Sequence, residues 1–144
     1  MLLQSLQPSP LFGVHETKTV MYKVQIHLNG PSHALIQSAK YELIQRGFSA
    51  TYLHSKPHIT LFYFKAPEHW QEGLANELQG CMQSQSSFLV RIAGYARFDA
   101  TGTIYAKVKN KQEVLRLNQR LFKQAYIHLA GNHGFQGAIQ QSAE

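Results

Sequence analysis

Apolar and polar residues alternate from Val20 to Leu28, with Tyr22, Val24, Ile26 and Leu28 on one side and Lys23, Gln25 and His27 on the other. A period of two sends successive side chains to opposite faces, so this segment predicts a half-buried strand. Asn29-Gly30-Pro31 interrupts the alternation, and a proline in the first turn suits the start of a helix. Leu35, Ile36, Ala39, Leu43 and Ile44 then recur at helical spacing, up to a terminating Gly47. Phe48 to Leu53 reads as a short strand or an irregular arm, and a second strand follows from about His58 to Phe64.

Pro67 opens a second helix, with Trp70, Leu74, Leu78 and Met82 as its apolar stripe. The polar run Gln83 to Ser87 is a loop. Phe88 to Phe98 reads as a strand, bent or bulged near Gly94. Asp99-Ala100-Thr101-Gly102 is a tight turn, and Thr103 to Lys109 returns as the partner strand of a hairpin. Lys111 to about Leu129 is the strongest helix, carrying Val114, Leu117, Leu121, Ala125 and His128 along one face. The resulting order, strand–helix–strand–helix–strand–strand–helix, suggests an α+β protein of two similar lobes. Residues 1–19 read as a loose extension broken by Pro8 and Pro10, residues 20–130 as one domain, and residues 131–144 as an irregular tail. Nothing in that tail alternates, so the second lobe is expected to lack its last strand.

Composition changes this picture little. A chain of 144 residues with 44% apolar and 15% charged residues suits a globular domain and not a disordered segment. The lone Cys81 rules out an internal disulfide framework and suits a reducing, cytoplasmic setting. No apolar run has the length of a membrane span. Charge adds more: the net +6 attracts polyanions. Lys107, Lys109, Lys111, Arg116, Arg120 and Lys123 fall close together against Glu113. For the basic residues alone, a solvated strand end and helix face is the better explanation; beside a phosphate-type motif, an anionic substrate gains ground.

The chemistry lies in Lys56-Pro57-His58-Ile59-Thr60-Leu61-Phe62-Tyr63-Phe64. On a strand, His58 and Thr60 share one face while Ile59 and Leu61 point to the other, toward a core. An imidazole beside a hydroxyl can hold a phosphate oxygen and move a proton. Phe62 and Phe64 have the same parity as His58, so that face is partly apolar, as a base-stacking floor or as further core. If strand one shares this face, it would contribute Lys23, Gln25 and His27. The hairpin would contribute Arg91, Tyr105 and Lys107, with Tyr105 able to stack on a base and the cations able to neutralise phosphate. Each of these also fits a solvated sheet face.

Pro57-His58-Ile59-Thr60-Leu61, in its strand–helix–strand setting, resembles the first signature of the two-histidine phosphoesterase superfamily. That superfamily includes the RNA 2',3'-cyclic phosphodiesterases, also called 2',5'-RNA ligase-like proteins. The resemblance covers roughly Met21 to Leu129 in element order. It implies antiparallel sheets in two lobes, helices outside, and a central groove with a His-x-Ser/Thr motif on each side. It implies His58 as a general acid or base and Thr60 as a phosphate-binding hydroxyl. The substrate would be an RNA end or small cyclic nucleotide, hydrolysed without a cofactor or metal.

The second motif would follow the helix ending near Leu129. His128-Leu129-Ala130 and His133-Gly134-Phe135 lie there, each without a hydroxyl two residues on. His128 sits on the apolar stripe of its helix, as a packed histidine would. His133 is the better substitute, and also fits a surface loop. A truncated or frame-shifted copy, a non-catalytic RNA- or nucleotide-binding relative, and a partner chain that completes the second lobe all remain compatible with one clear motif. Other site classes are weak. Cys81 has no nearby histidine, and His54-x3-His58 alone is poor zinc spacing.

Overall fold

A computed structural model describes residues 2–6, 18–131 and 140–141, with side chains described from 18 to 131 apart from Tyr52. Leu2–Leu6 (β1) pairs antiparallel with Thr19–His27 (β2), Leu2 opposite Gln25 and Leu6 opposite Met21. The segment expected to be a loose extension therefore begins with a strand. Backbone pairing, which local sequence does not display, is what recruits it. Gly30–Gln45 (α1), a 3₁₀ turn at Ala50–His54, His58–Pro67 (β3) and Gln71–Gln83 (α2) follow. Ile92–Arg97 (β4) and Ile104–Val108 (β5) form the hairpin, and Lys111–Gly131 (α3) is the longest helix. Gln140–Gln141 (β6) pairs antiparallel with Tyr63 and Phe62 of β3, so the expected irregular tail does contribute a short strand.

The architecture is α+β with small antiparallel sheets, as the sequence order suggests. The chain divides into two compact units that are not its successive halves. The first comprises Met1–Ile26, Thr60–Ser86 and Leu115–Glu144, and the second comprises His27–Ile59 and Ser87–Val114.

In the first unit the sheet has the order β1-β2-β3-β6. Val20, Tyr22 and Val24 are buried on one face of β2, as the alternation requires, but Gln25 on the other face is only 1% exposed. On β3, Leu61 and Phe62 are adjacent in sequence and both buried. The sheet is thus covered on both sides here, where the sequence pattern predicts half-buried strands. Phe62 and Phe64 prove to be core: Phe62 meets Phe122 of α3 edge-on at 5.5 Å, and Phe64 stacks on Tyr22 at 5.2 Å. Such aromatic pairs add roughly 0.5–1.5 kcal/mol beyond their buried area. α3 buries Leu117, Leu121, Ala125 and Leu129, and the Nδ2 of its buried Asn118 donates to the Leu61 carbonyl at 3.2 Å. α2 buries Leu74 and Leu78, while Trp70 and Met82 of the expected stripe are half-buried.

In the second unit, α1 starts where Asn29-Gly30-Pro31 predicts, with Gly30 at φ 62°. None of its side chains is fully buried, and Leu35 is 52% exposed. The expected helix forms, but its apolar stripe is not enclosed. The 50–54 segment is a 3₁₀ turn and not a strand, because the Ser49 hydroxyl accepts the Thr51 N–H at 3.3 Å and caps it. The hairpin carries the expected bulge: its register shifts between Ile92 and Tyr95, around Gly94 at φ 78°. Gly102, in the turn, donates from its N–H to the Phe98 carbonyl at 2.8 Å.

Candidate active site

Two histidines meet in the second unit. Leu28, just past β2, donates its N–H to the Pro57 carbonyl at 3.1 Å, and this bond brings the end of β2 to the start of β3. The rings of His27 and His58 consequently lie 6.4 Å apart between centroids, inclined at 35°. His58 is exposed and His27 half-buried.

The segment leading into His58 is held from several directions. Pro57 is buried. The Lys40 ammonium on α1 donates to the hydroxyl of Ser55 at 3.0 Å and to the Ser55 carbonyl. Burial lowers the Lys40 pKa from its ordinary value. The His58 Nδ1 lies 2.7 Å from the Lys56 carbonyl oxygen. A carbonyl only accepts, so Nδ1 carries a hydrogen, and in the neutral ring Nε2 keeps its lone pair. A fixed tautomer with a free, accessible nitrogen is what a proton-transfer histidine requires. Thr60, one alternation along β3, is half-buried on the same strand face as His58.

The remaining predicted residues fall into three groups. Tyr105 is stacked on Phe98 at 4.3 Å, so one of its ring faces is already occupied. The Lys107 side chain runs over Gly94, its Cε 3.7 Å from where a Cβ there would stand. The Arg91 carbonyl accepts the Lys109 N–H at 2.7 Å, and its own N–H donates to Asn110 Oδ1 at 2.8 Å. These three are thus engaged within the hairpin segment, and the side chains of Lys107 and Arg91 are exposed. Lys23 is half-buried on β2. His128 belongs to the first unit, where its ring lies 3.7 Å from the place a Cβ on Gly73 would occupy, and so packs against α2. His133 lies outside the described residues.

Sequence reasoning assigned no role to Lys40 or Asn110, which fix the loop before His58 and the hairpin base. Neither carries a local signal, since each acts on backbone far away in sequence. Charge is also partitioned. The second unit holds eight basic residues against three acidic ones, +5 of the chain's net +6. The unit with His27 and His58 is therefore the one that attracts anions. Among the described residues, no group of three or more His, Cys, Asp or Glu is placed to hold a metal ion. No described helix is long and apolar enough to cross a membrane.

Neither the curated proteins nor the solved structures contain a match to this chain. The family models do: residues 29–136 match the 2'-5' RNA ligase superfamily. That span takes in His58, Thr60, the hairpin and all of α3, and covers most of the chain. This protein belongs to the 2'-5' RNA ligase superfamily, the two-histidine phosphoesterases.

Proposed function

We propose that the protein binds 2',3'-cyclic phosphate ends of RNA, or small cyclic nucleotides, at His58 and Thr60, and hydrolyses them as a phosphodiesterase. The observation that carries this is the set of the His58 ring. Its Nδ1–H is tied to the Lys56 carbonyl, and the residue stands exposed at the start of β3. In this proposal His58 Nε2 exchanges a proton with water or the leaving ribose oxygen, and the Thr60 hydroxyl donates to a phosphate oxygen. The positive charge gathered in the second unit raises the local concentration of an anionic substrate. Arg91 and Lys107 of the same unit are the cations assigned to phosphate, and Tyr105 offers its unstacked ring face to a base. A cytoplasmic setting, inferred from the lone Cys81, belongs to the same proposal.

One observation favours a second version, in which the site binds without turnover: the chain has a single clear His-x-Thr motif on a described strand. Incubation of pure, full-length protein with 2',3'-cyclic AMP separates the two. Hydrolysis that falls about 10²–10⁴-fold in His58→Ala is the expected result. Salt-sensitive binding that survives His58→Ala, with no turnover by the parent protein, would establish the binding-only version.

A further inference from the structure

Opening a cyclic phosphate needs two proton transfers, one from the attacking water and one to the departing ribose oxygen. We infer that His27 is the second proton-transfer group, paired with His58 across the junction of β2 and β3. This inference rests on the proposed hydrolysis and names the partner which that proposal leaves unassigned.

The geometry fits. A phosphate oxygen hydrogen-bonded to an imidazole nitrogen sits about 2.8 Å from it. With one oxygen–phosphorus–oxygen edge between them, two such bonds reach at most roughly 8 Å from nitrogen to nitrogen, so one phosphate can bridge two rings whose centres lie 6.4 Å apart. The Leu28 N–H to Pro57 carbonyl bond draws the backbone at His27 and His58 together without any ligand. Both belong to the strongly basic unit. Within their unit, the titratable residues nearest to them in sequence are His33 on α1 and His54 and Lys56 ahead of β3.

The step balances. His58 Nε2 accepts a proton from water as the water oxygen forms its bond to phosphorus. The bond from phosphorus to one ribose oxygen breaks, and its electron pair goes to that oxygen. His27, as imidazolium, gives that oxygen a proton. One proton is taken and one is given, leaving a ribose hydroxyl and a phosphomonoester. Exchange with solvent returns both rings to their starting protonation.

Two experiments on the full chain test this. The first is the pH dependence of kcat/KM for 2',3'-cyclic AMP in the parent protein, His27→Asn and His27→Gln. The parent is expected to give a bell. Both variants should fall about 10²–10⁴-fold and lose the alkaline limb, which reports the acid, while keeping the acidic limb set by His58. The second follows the imidazole C2–H resonances of the unmutated protein as adenosine 2'-monophosphate is added, and both His27 and His58 are expected to shift. Parent-like rates and an unchanged bell in the His27 variants, or movement of the His58 signal alone, would overturn the role of His27 and leave the proposed hydrolysis standing. No turnover by the parent would overturn both.

Discussion

Asn118 is the polar side chain that ties α3 to the strand bearing Thr60, and replacing it by aspartate gives a calculable effect. It is 96% buried, and its Nδ2 donates to the carbonyl of Leu61, the residue after Thr60, at 3.2 Å. Among the described residues its Oδ1 has no hydrogen-bond partner. Asn118→Asp keeps the shape and removes the donor, setting a carboxylate against a carbonyl oxygen. The buried group escapes by taking up a proton, because a protonated carboxyl can donate to Leu61 as the amide does. Keeping that proton at pH 7 costs about three units above the ordinary aspartate value near 3.9, at 1.36 kcal/mol each, so the penalty is capped at about 4 kcal/mol.

The folded pKa of the new carboxyl is raised, so its folded state binds more protons than the unfolded chain. The penalty therefore shrinks as the pH falls, by about 1.4 kcal/mol per unit, and approaches zero near pH 4. Urea unfolding of both proteins between pH 4 and 7, followed by the fluorescence of the single Trp70, measures the difference directly. Asn118→Leu discards the donor and the unpartnered acceptor together and is expected within about 1 kcal/mol of the parent. An Asn118→Asp protein as stable as the parent at pH 7, with a difference that ignores pH, would refute the buried α3–β3 contact.

Three further outcomes are expected. Burial, and then the Glu68 carboxylate, raise the pKa of Tyr22. Its contribution to stability is therefore intact below the ordinary tyrosine value of about 10 and lost as pH climbs from there through the raised folded value. Urea midpoints from pH 8 to 11 should fall faster for the parent than for Tyr22→Phe, and parallel curves would contradict this. Gly80 lies within α2 with nothing within 4 Å of an added Cβ, so Gly80→Ala should stabilise by about 1 kcal/mol, read as a rise in Tm. Gly94 holds φ 78° at the hairpin bulge, so Gly94→Val should cost about 1–2 kcal/mol, whereas an unchanged Tm would argue against the bulge.

Local patterns revealed much of this molecule. The alternation of Val20 to Leu28, the bulge at Gly94 and the 3.6-residue stripe of α3 are signals written in neighbouring residues, and each element formed close to its expected place. What stayed hidden was nonlocal. Leu2–Leu6 shows little strand character alone and gains its partners only when β2 is present. Gln25 is polar, so alternation assigned it to a wet face, yet it is buried. The stripe on α1 predicted a buried face that the structure leaves partly exposed. The same division holds at the site. His58 and Thr60 were legible as a pair in one strand, but the approach of His27 depends on a backbone bond between residues 28 and 57. Sequence placed His27 on a candidate face without showing that its ring would meet His58.

His58 is proposed to carry out phosphoesterase chemistry. Phosphorus NMR of 2',3'-cyclic AMP incubated with the pure, full-length protein tests it most directly. The cyclic phosphate signal is expected to be replaced by that of a phosphomonoester, at a rate about 10²–10⁴-fold above that of His58→Ala. A cyclic signal that persists with the parent protein, or decays equally fast in His58→Ala, would contradict it.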